Sequence, residues 1–145
     1  MAQQPPRRRI LIVDDHAPTR AMIRAVLESE KSATFDVAEA GNGADCLKTF
    51  DGKGPFDLVL LDVNLPDMDG YEVCRAIRRV DGQIPIVFVT GHGQLKDFSA
   101  GRQAGGDSYI VKPVNRASLR STALLFTNMK RQPRAAAPDP EKAKA

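Results

Sequence analysis

The chain of 145 residues, 42% hydrophobic and 27% charged, has the size and balance of one soluble domain with one sizeable core. Its net charge of +3 is unevenly spread: residues 1–9 carry three Arg and residues 130–145 carry five basic groups against Asp139 and Glu141, so the ends hold +6 and the middle −3. A net positive charge confined to the ends argues against nucleic-acid binding by the folded part, no stretch approaches the ~20 apolar residues of a membrane span, and Cys46 and Cys74 fall in no metal, redox or secretory spacing.

Arg7-Arg8-Arg9 precedes apolar residues as in an export signal, but the apolar run Ile10–Val13 stops at Asp14-Asp15, too short for such a signal. The expectation is a cytoplasmic protein with reduced cysteines, a disordered basic segment over residues 1–8 and a folded domain over 9–129. From Ile10 onward, short β-branched runs alternate with stretches of helical spacing, which is the pattern of an α/β domain with a parallel sheet. Strands are predicted at Ile10–Val13, Phe35–Ala38, Leu58–Leu61, Ile84–Val89 and Tyr109–Val111. The third and fourth runs are apolar throughout, as central strands covered on both faces should be.

Between these runs, Met22, Ile23, Val26 and Leu27 share one face of a first helix, with Pro18 suited to its first turn. Leu47 and Phe50 mark a second helix, and Val73, Cys74, Ile77 and Val80 a third. A fourth, about Gln94 to Ala104, carries few large apolar residues. Five of the eleven glycines lie in or beside it, each costing about 1 kcal/mol relative to Ala within a helix. It is expected to be the least stable. Leu119, Ala123 and Phe126 mark the fifth helix, with Asn115 as its N-cap. Residues 130–145 have three prolines and no apolar periodicity, so they read as a disordered tail or the start of a linker.

In an open parallel sheet, functional groups gather at the carboxyl ends of the strands. Here those ends supply Asp14-Asp15 after the first strand, Asp62 at the third, Thr90 after the fourth and Lys112 after the fifth. Two unit charges 4 Å apart repel by about 4 kcal/mol at an effective dielectric near 20, so a purely structural site would not collect three carboxylates. A divalent cation resolves the repulsion, and Mg²⁺ suits hard oxygen ligands. Lys112 offers a second positive charge able to bind an incoming phosphoryl group. An aspartate is a competent nucleophile for phosphoryl transfer.

Val13-Asp14-Asp15, the run Leu61-Asp62-Val63-Asn64-Leu65-Pro66-Asp67-Met68-Asp69-Gly70, Val89-Thr90-Gly91 and Val111-Lys112-Pro113 together resemble the signature blocks of CheY-like response regulator receiver domains, in the right order over about residues 8–129. The resemblance implies a flavodoxin-like (βα)5 doubly wound sheet with strand order 2-1-3-4-5. It implies that Asp62 accepts a phosphoryl group from a sensor histidine kinase or histidine phosphotransfer protein. Asp14, Asp15, Asp62 and the main-chain carbonyl of Asn64 would hold Mg²⁺. Thr90 and Lys112 would bind phosphoryl oxygens, Lys112-Pro113 would be a cis peptide, and Tyr109 would occupy the aromatic switch position, turning inward when Thr90 moves. Asn64 and His92, two places after Asp62 and Thr90, stand where side chains tune the lifetime of the phosphoryl bond. The fourth helix, fifth strand and fifth helix would form the output surface, also open to pairing of two copies.

Each residue alone has a duller explanation: Asp14, Asp15 and Thr90 as helix caps, Lys112 as a solvated charge, His16 and His92 as exposed loop residues, Tyr109 as a packed aromatic. Capping does not explain why the whole set falls at strand ends. An aspartate-nucleophile phosphatase is set aside because its second acid would stand where Asn64 is. A phosphoacceptor that assists its own phosphorylation and dephosphorylation is expected, rather than an enzyme. A phosphorelay shuttle and a receiver fragment of a longer regulator are the alternatives.

Overall fold

The computed structural model describes residues 7–91 and 95–129, and of residues 95–97 the backbone only. The elements alternate: β1 (Arg7–Val13), α1 (Ala17–Glu28), β2 (Thr34–Ala40), α2 (Gly43–Lys53), β3 (Leu58–Asp62), α3 (Gly70–Val80), β4 (Ile86–Thr90), α4 (Leu95–Ala104), β5 (Ser108–Val111) and α5 (Arg116–Asn128). The five strands form one parallel sheet in the order β2-β1-β3-β4-β5, the flavodoxin-like doubly wound arrangement.

Side-chain alternation along the strands builds two cores. Ile10, Ile12, Leu58, Leu60, Val87 and Val89 face α1 and α5, meeting Ile23, Val26, Leu27, Leu119 and Ala123. Leu11, Val13, Val59, Leu61, Ile86 and Phe88 face the other way, onto Cys46, Val73, Cys74, Ile77 and Ala104 of α2, α3 and α4. This two-sided burial is why the central strands β3 and β4 are apolar at every position before their last residues, Asp62 and Thr90. Both cysteines are free and buried, and burial pushes each thiol up to about 12. Asn42, Asp69 and the expected Asn115 cap α2, α3 and α5, each accepting from a main-chain N–H of the first turn. Among the described residues, no helix is long and apolar enough to cross a membrane.

Several boundaries differ from the sequence expectation. β1 begins at Arg7, inside the segment expected to be disordered, because Arg7 and Arg8 pair with Thr34 and Phe35 of β2 and Arg7 makes an ion pair with Asp36 at 3.0 Å. β4 begins at Ile86 rather than Ile84, since Pro85 has no N–H to give to a ladder. Val80, assigned to the buried face of α3, is 78% exposed. The interior place in that last turn belongs to Arg78, which is buried. Gly101 and Gly106 of the fourth segment are packing positions, because a Cβ at the first would overlap the Tyr109 hydroxyl and at the second the Phe88 ring. The expected disorder of residues 1–6 and of the 130–145 tail falls outside the described residues, as does the expected role of His92.

Candidate functional site

The chain runs from β1 to β2 on one side of the sheet and later places β3 on β1's other side, so a crevice opens at the carboxyl ends of β1 and β3. Asp14 follows β1 directly, and Asp62 is the last residue of β3. Both are buried, Asp14 to 1% exposure and Asp62 to 3%, whereas Asp15 is exposed. Carboxylate oxygens of all three lie within 4.8 Å of one another. Lys112, one residue past β5, reaches across the strand ends with its Nζ 2.9 Å from Asp14 Oδ2 and 3.0 Å from Asp62 Oδ2. Its own N–H donates to the Thr90 carbonyl at 2.7 Å, which ties the last strand end to that of β4. Thr90 is buried and directly follows Val89, the residue paired with Asp62.

Two acids share one ammonium here. Asp62 Oδ1 accepts from the Asn64 N–H at 3.0 Å, and Asp14 Oδ1 from the His16 N–H at 2.8 Å. Asp14 Oδ2 is a buried side-chain atom that, among the described residues, is held by the Lys112 ion pair and by no hydrogen bond. Burial, reinforced by the Asp14 charge, raises the Asp62 carboxyl above its ordinary range against the pull of the Asn64 N–H and Lys112. Burial works to lower the Lys112 pKa, but its contacts with Asp14 and Asp62 outweigh it and hold the ammonium above its usual value. A buried carboxylate oxygen without a hydrogen bond among the described residues, converging hard oxygen donors and two buried acids sharing one ammonium fit a divalent cation.

The loop after Asp62 is held tightly. Gly70 N–H donates to the Val63 carbonyl at 2.8 Å, and a Cβ at Gly70 would collide with the Asp62 main chain. Asp67, in the sequence only one member of a motif, anchors this loop on the N-terminus of α2. Its two oxygens accept from the N–H groups of Gly43 and Ala44 at 2.7 and 2.9 Å. The Asn64 side chain is exposed. The Lys112-Pro113 bond is cis as expected, and so is Gly54-Pro55, which no sequence feature announces. Tyr109 is half-buried, edge-on to Phe98 at 4.6 Å and 5.2 Å from Phe88, with its hydroxyl donating to that of Tyr71 at 3.3 Å. His16 is exposed, its ring 2.7 Å from the Thr19 hydroxyl. Of the expected set of Asp14, Asp15, Asp62, Thr90 and Lys112, the three acids and the lysine are thus brought together, and Thr90 stands at the neighbouring strand end.

Comparison with known proteins agrees with this geometry. The family profile described as response regulator receiver domain matches residues 10–124. The DNA-binding response regulator MtrA of Mycobacterium tuberculosis is 43% identical over 107 residues, 74% of this chain and 45% of that protein. The transcriptional regulatory protein AfsQ1 of Streptomyces coelicolor is 45% identical over 106 residues, 72% of this chain and 44% of its own length. The chain therefore spans less than half the length of these curated relatives. Among solved structures, a CheY-like response regulator receiver domain protein from Methanospirillum hungatei superimposes with a TM-score of 0.78 at 30% identity, covering 85% of this chain and 95% of the other.

Proposed function

This chain belongs to the response regulator receiver domain family, and from that premise we propose that Asp62 accepts a phosphoryl group from a phosphohistidine on a sensor histidine kinase or histidine phosphotransfer protein. The observation that carries the reading is the placement of one buried carboxylate, Asp62, at a strand end where it shares the Lys112 ammonium with a second buried acid, Asp14. A carboxylate oxygen of Asp62 attacks phosphorus as the bond from phosphorus to the donor nitrogen breaks, leaving an aspartyl phosphate. Lys112 then pairs with one phosphoryl oxygen and the Thr90 hydroxyl donates to another, so the chain's own contribution is positioning and charge neutralisation. Asp14, Asp15, Asp62 and the Asn64 carbonyl would hold Mg²⁺, which when bound offsets the negative charge of the carboxylates and the phosphoryl oxygens.

The domain acts as a phosphoacceptor that assists its own phosphorylation and dephosphorylation in the cytoplasm, not as an enzyme for a separate substrate. Its output passes through Thr90 and Tyr109 to the face of α4, β5 and α5, where Tyr109 lies between Phe88 and Phe98. The DNA-binding name belongs to relatives matched over 45% of their length. To this segment we assign reception of the signal, not contact with nucleic acid. Hydrogen exchange tests the reading: beryllofluoride with Mg²⁺ is expected to alter exchange through α4 and β5 in the wild type and to leave Asp62→Asn unchanged. Identical exchange with and without beryllofluoride in the wild type would overturn it.

A further inference from the structure

We propose that Arg20 is a positioning residue for the cation site: it ties the main chain of Asp14 to the end of β2 and so sets where the Asp14 and Asp15 carboxylates stand. The inference rests on the cation site proposed above. Arg20 lies in α1, where its N–H bonds the His16 carbonyl at 3.2 Å, and helical side chains lean back toward the helix N-terminus. That lean brings the guanidinium onto the loop between β1 and α1. Nη1 donates to the Asp14 carbonyl at 2.6 Å while Nε donates to Glu39 Oε1 at 3.0 Å.

Glu39 is a firm anchor. It sits in β2, paired in register with Ile12. Its second oxygen accepts from Arg24 Nε at 2.6 Å, and Arg24 is itself bonded to Glu28 and to the Val37 carbonyl. From the other side, the Asp14 N–H donates to the Ala40 carbonyl at 3.1 Å. Asp14 is therefore held at its main-chain N–H, at its carbonyl and at Oδ1, while Oδ2, with no hydrogen bond among the described residues, is left to the Lys112 ion pair.

Charge and geometry make opposite demands here, which makes the role testable. Were Arg20 only a nearby positive charge, its removal would tighten cation binding. Because its charge is matched by Glu39 3.0 Å away, its field at the site is largely offset, and what its removal takes away is placement. Mg²⁺-type ions demand near-ideal octahedral ligands, and loss of a group that orients a ligand typically costs about 10- to 100-fold in metal affinity.

The test titrates Mn²⁺ into the full chain at fixed ionic strength, reads free ion by electron paramagnetic resonance, and records the metal-free melting temperature beside it. The wild type is expected to bind Mn²⁺, and absence of binding overturns the cation site together with this inference. With the wild type binding, Arg20→Met is expected to raise Kd about tenfold. Arg20→Gln, too short to span both partners, is expected to do the same and decides the matter should the Met variant not fold. A Kd unchanged despite a lowered melting temperature, or a Kd that falls, overturns the positioning role and leaves the cation site standing.

Discussion

Two charged clusters lie at opposite ends of the same sheet, and they are built on opposite terms. At the amino end of β4, the Arg78 side chain is fully buried with its guanidinium 3.1 Å from Asp107, and it also donates to the carbonyls of Gly105, Asp81 and Ile84. Asp107 in turn accepts from the Ile86 N–H at 2.8 Å. Donors and acceptors match. At the carboxyl end, one ammonium serves two carboxylates, and a buried oxygen of Asp14 has no hydrogen bond among the described residues. A buried charge that is fully bonded holds structure together, whereas a buried charge left short of partners marks a place prepared for something to bind. The same sheet carries both.

The largest effect is expected at the satisfied end. Arg78→Met takes the guanidinium away from Asp107 and three carbonyls, and breaking a buried pair in this way costs about 3–5 kcal/mol. Urea unfolding measures it, and a loss below about 1 kcal/mol would mean that the pair holds nothing together.

At the unsatisfied end the sign reverses. Burial first, and then Asp14, hold the Asp62 pKa above its ordinary value. A folded-state pKa above the unfolded one means that the folded chain grips the proton more tightly, so the ionised carboxylate subtracts from stability above the folded pKa, and this deficit closes as pH falls. Without divalent ions, Asp62→Asn is expected to melt a few degrees above the wild type near pH 7. That gap should vanish on acidification past the ordinary Asp value of about 3.9. Equal melting temperatures at pH 7, or a gap that widens in acid, would contradict the contrast between the two ends.

The two ends were not equally legible in the sequence. Asp14, Asp15, Asp62, Thr90 and Lys112 could be read because each follows an apolar run, and apolar runs buried on both faces are the clearest sign of a parallel sheet. Arg78 could not be read. Beside Arg79 it resembles a solvated helix face, and only the return of Gly105 and Asp107 from 27 and 29 residues away converts it into a core residue and turns Val80 outward. Arg20 and Asp67 were missed for the same reason. Their partners, Glu39 and the N-terminus of α2, are neighbours in space and not in sequence. Arg7 and Arg8 read as part of a charged end, yet the β1–β2 ladder draws them in.

The proposed role of Asp62, a buried carboxylate sharing the Lys112 ammonium with Asp14, is that of phosphoacceptor. The most direct test incubates the chain with acetyl phosphate and Mg²⁺ and locates the modification by peptide mass analysis. A single phosphoryl group on Asp62 is predicted, dependent on Mg²⁺ and absent from Asp62→Asn. Labelling at another residue, or undiminished labelling of Asp62→Asn, would contradict the claim.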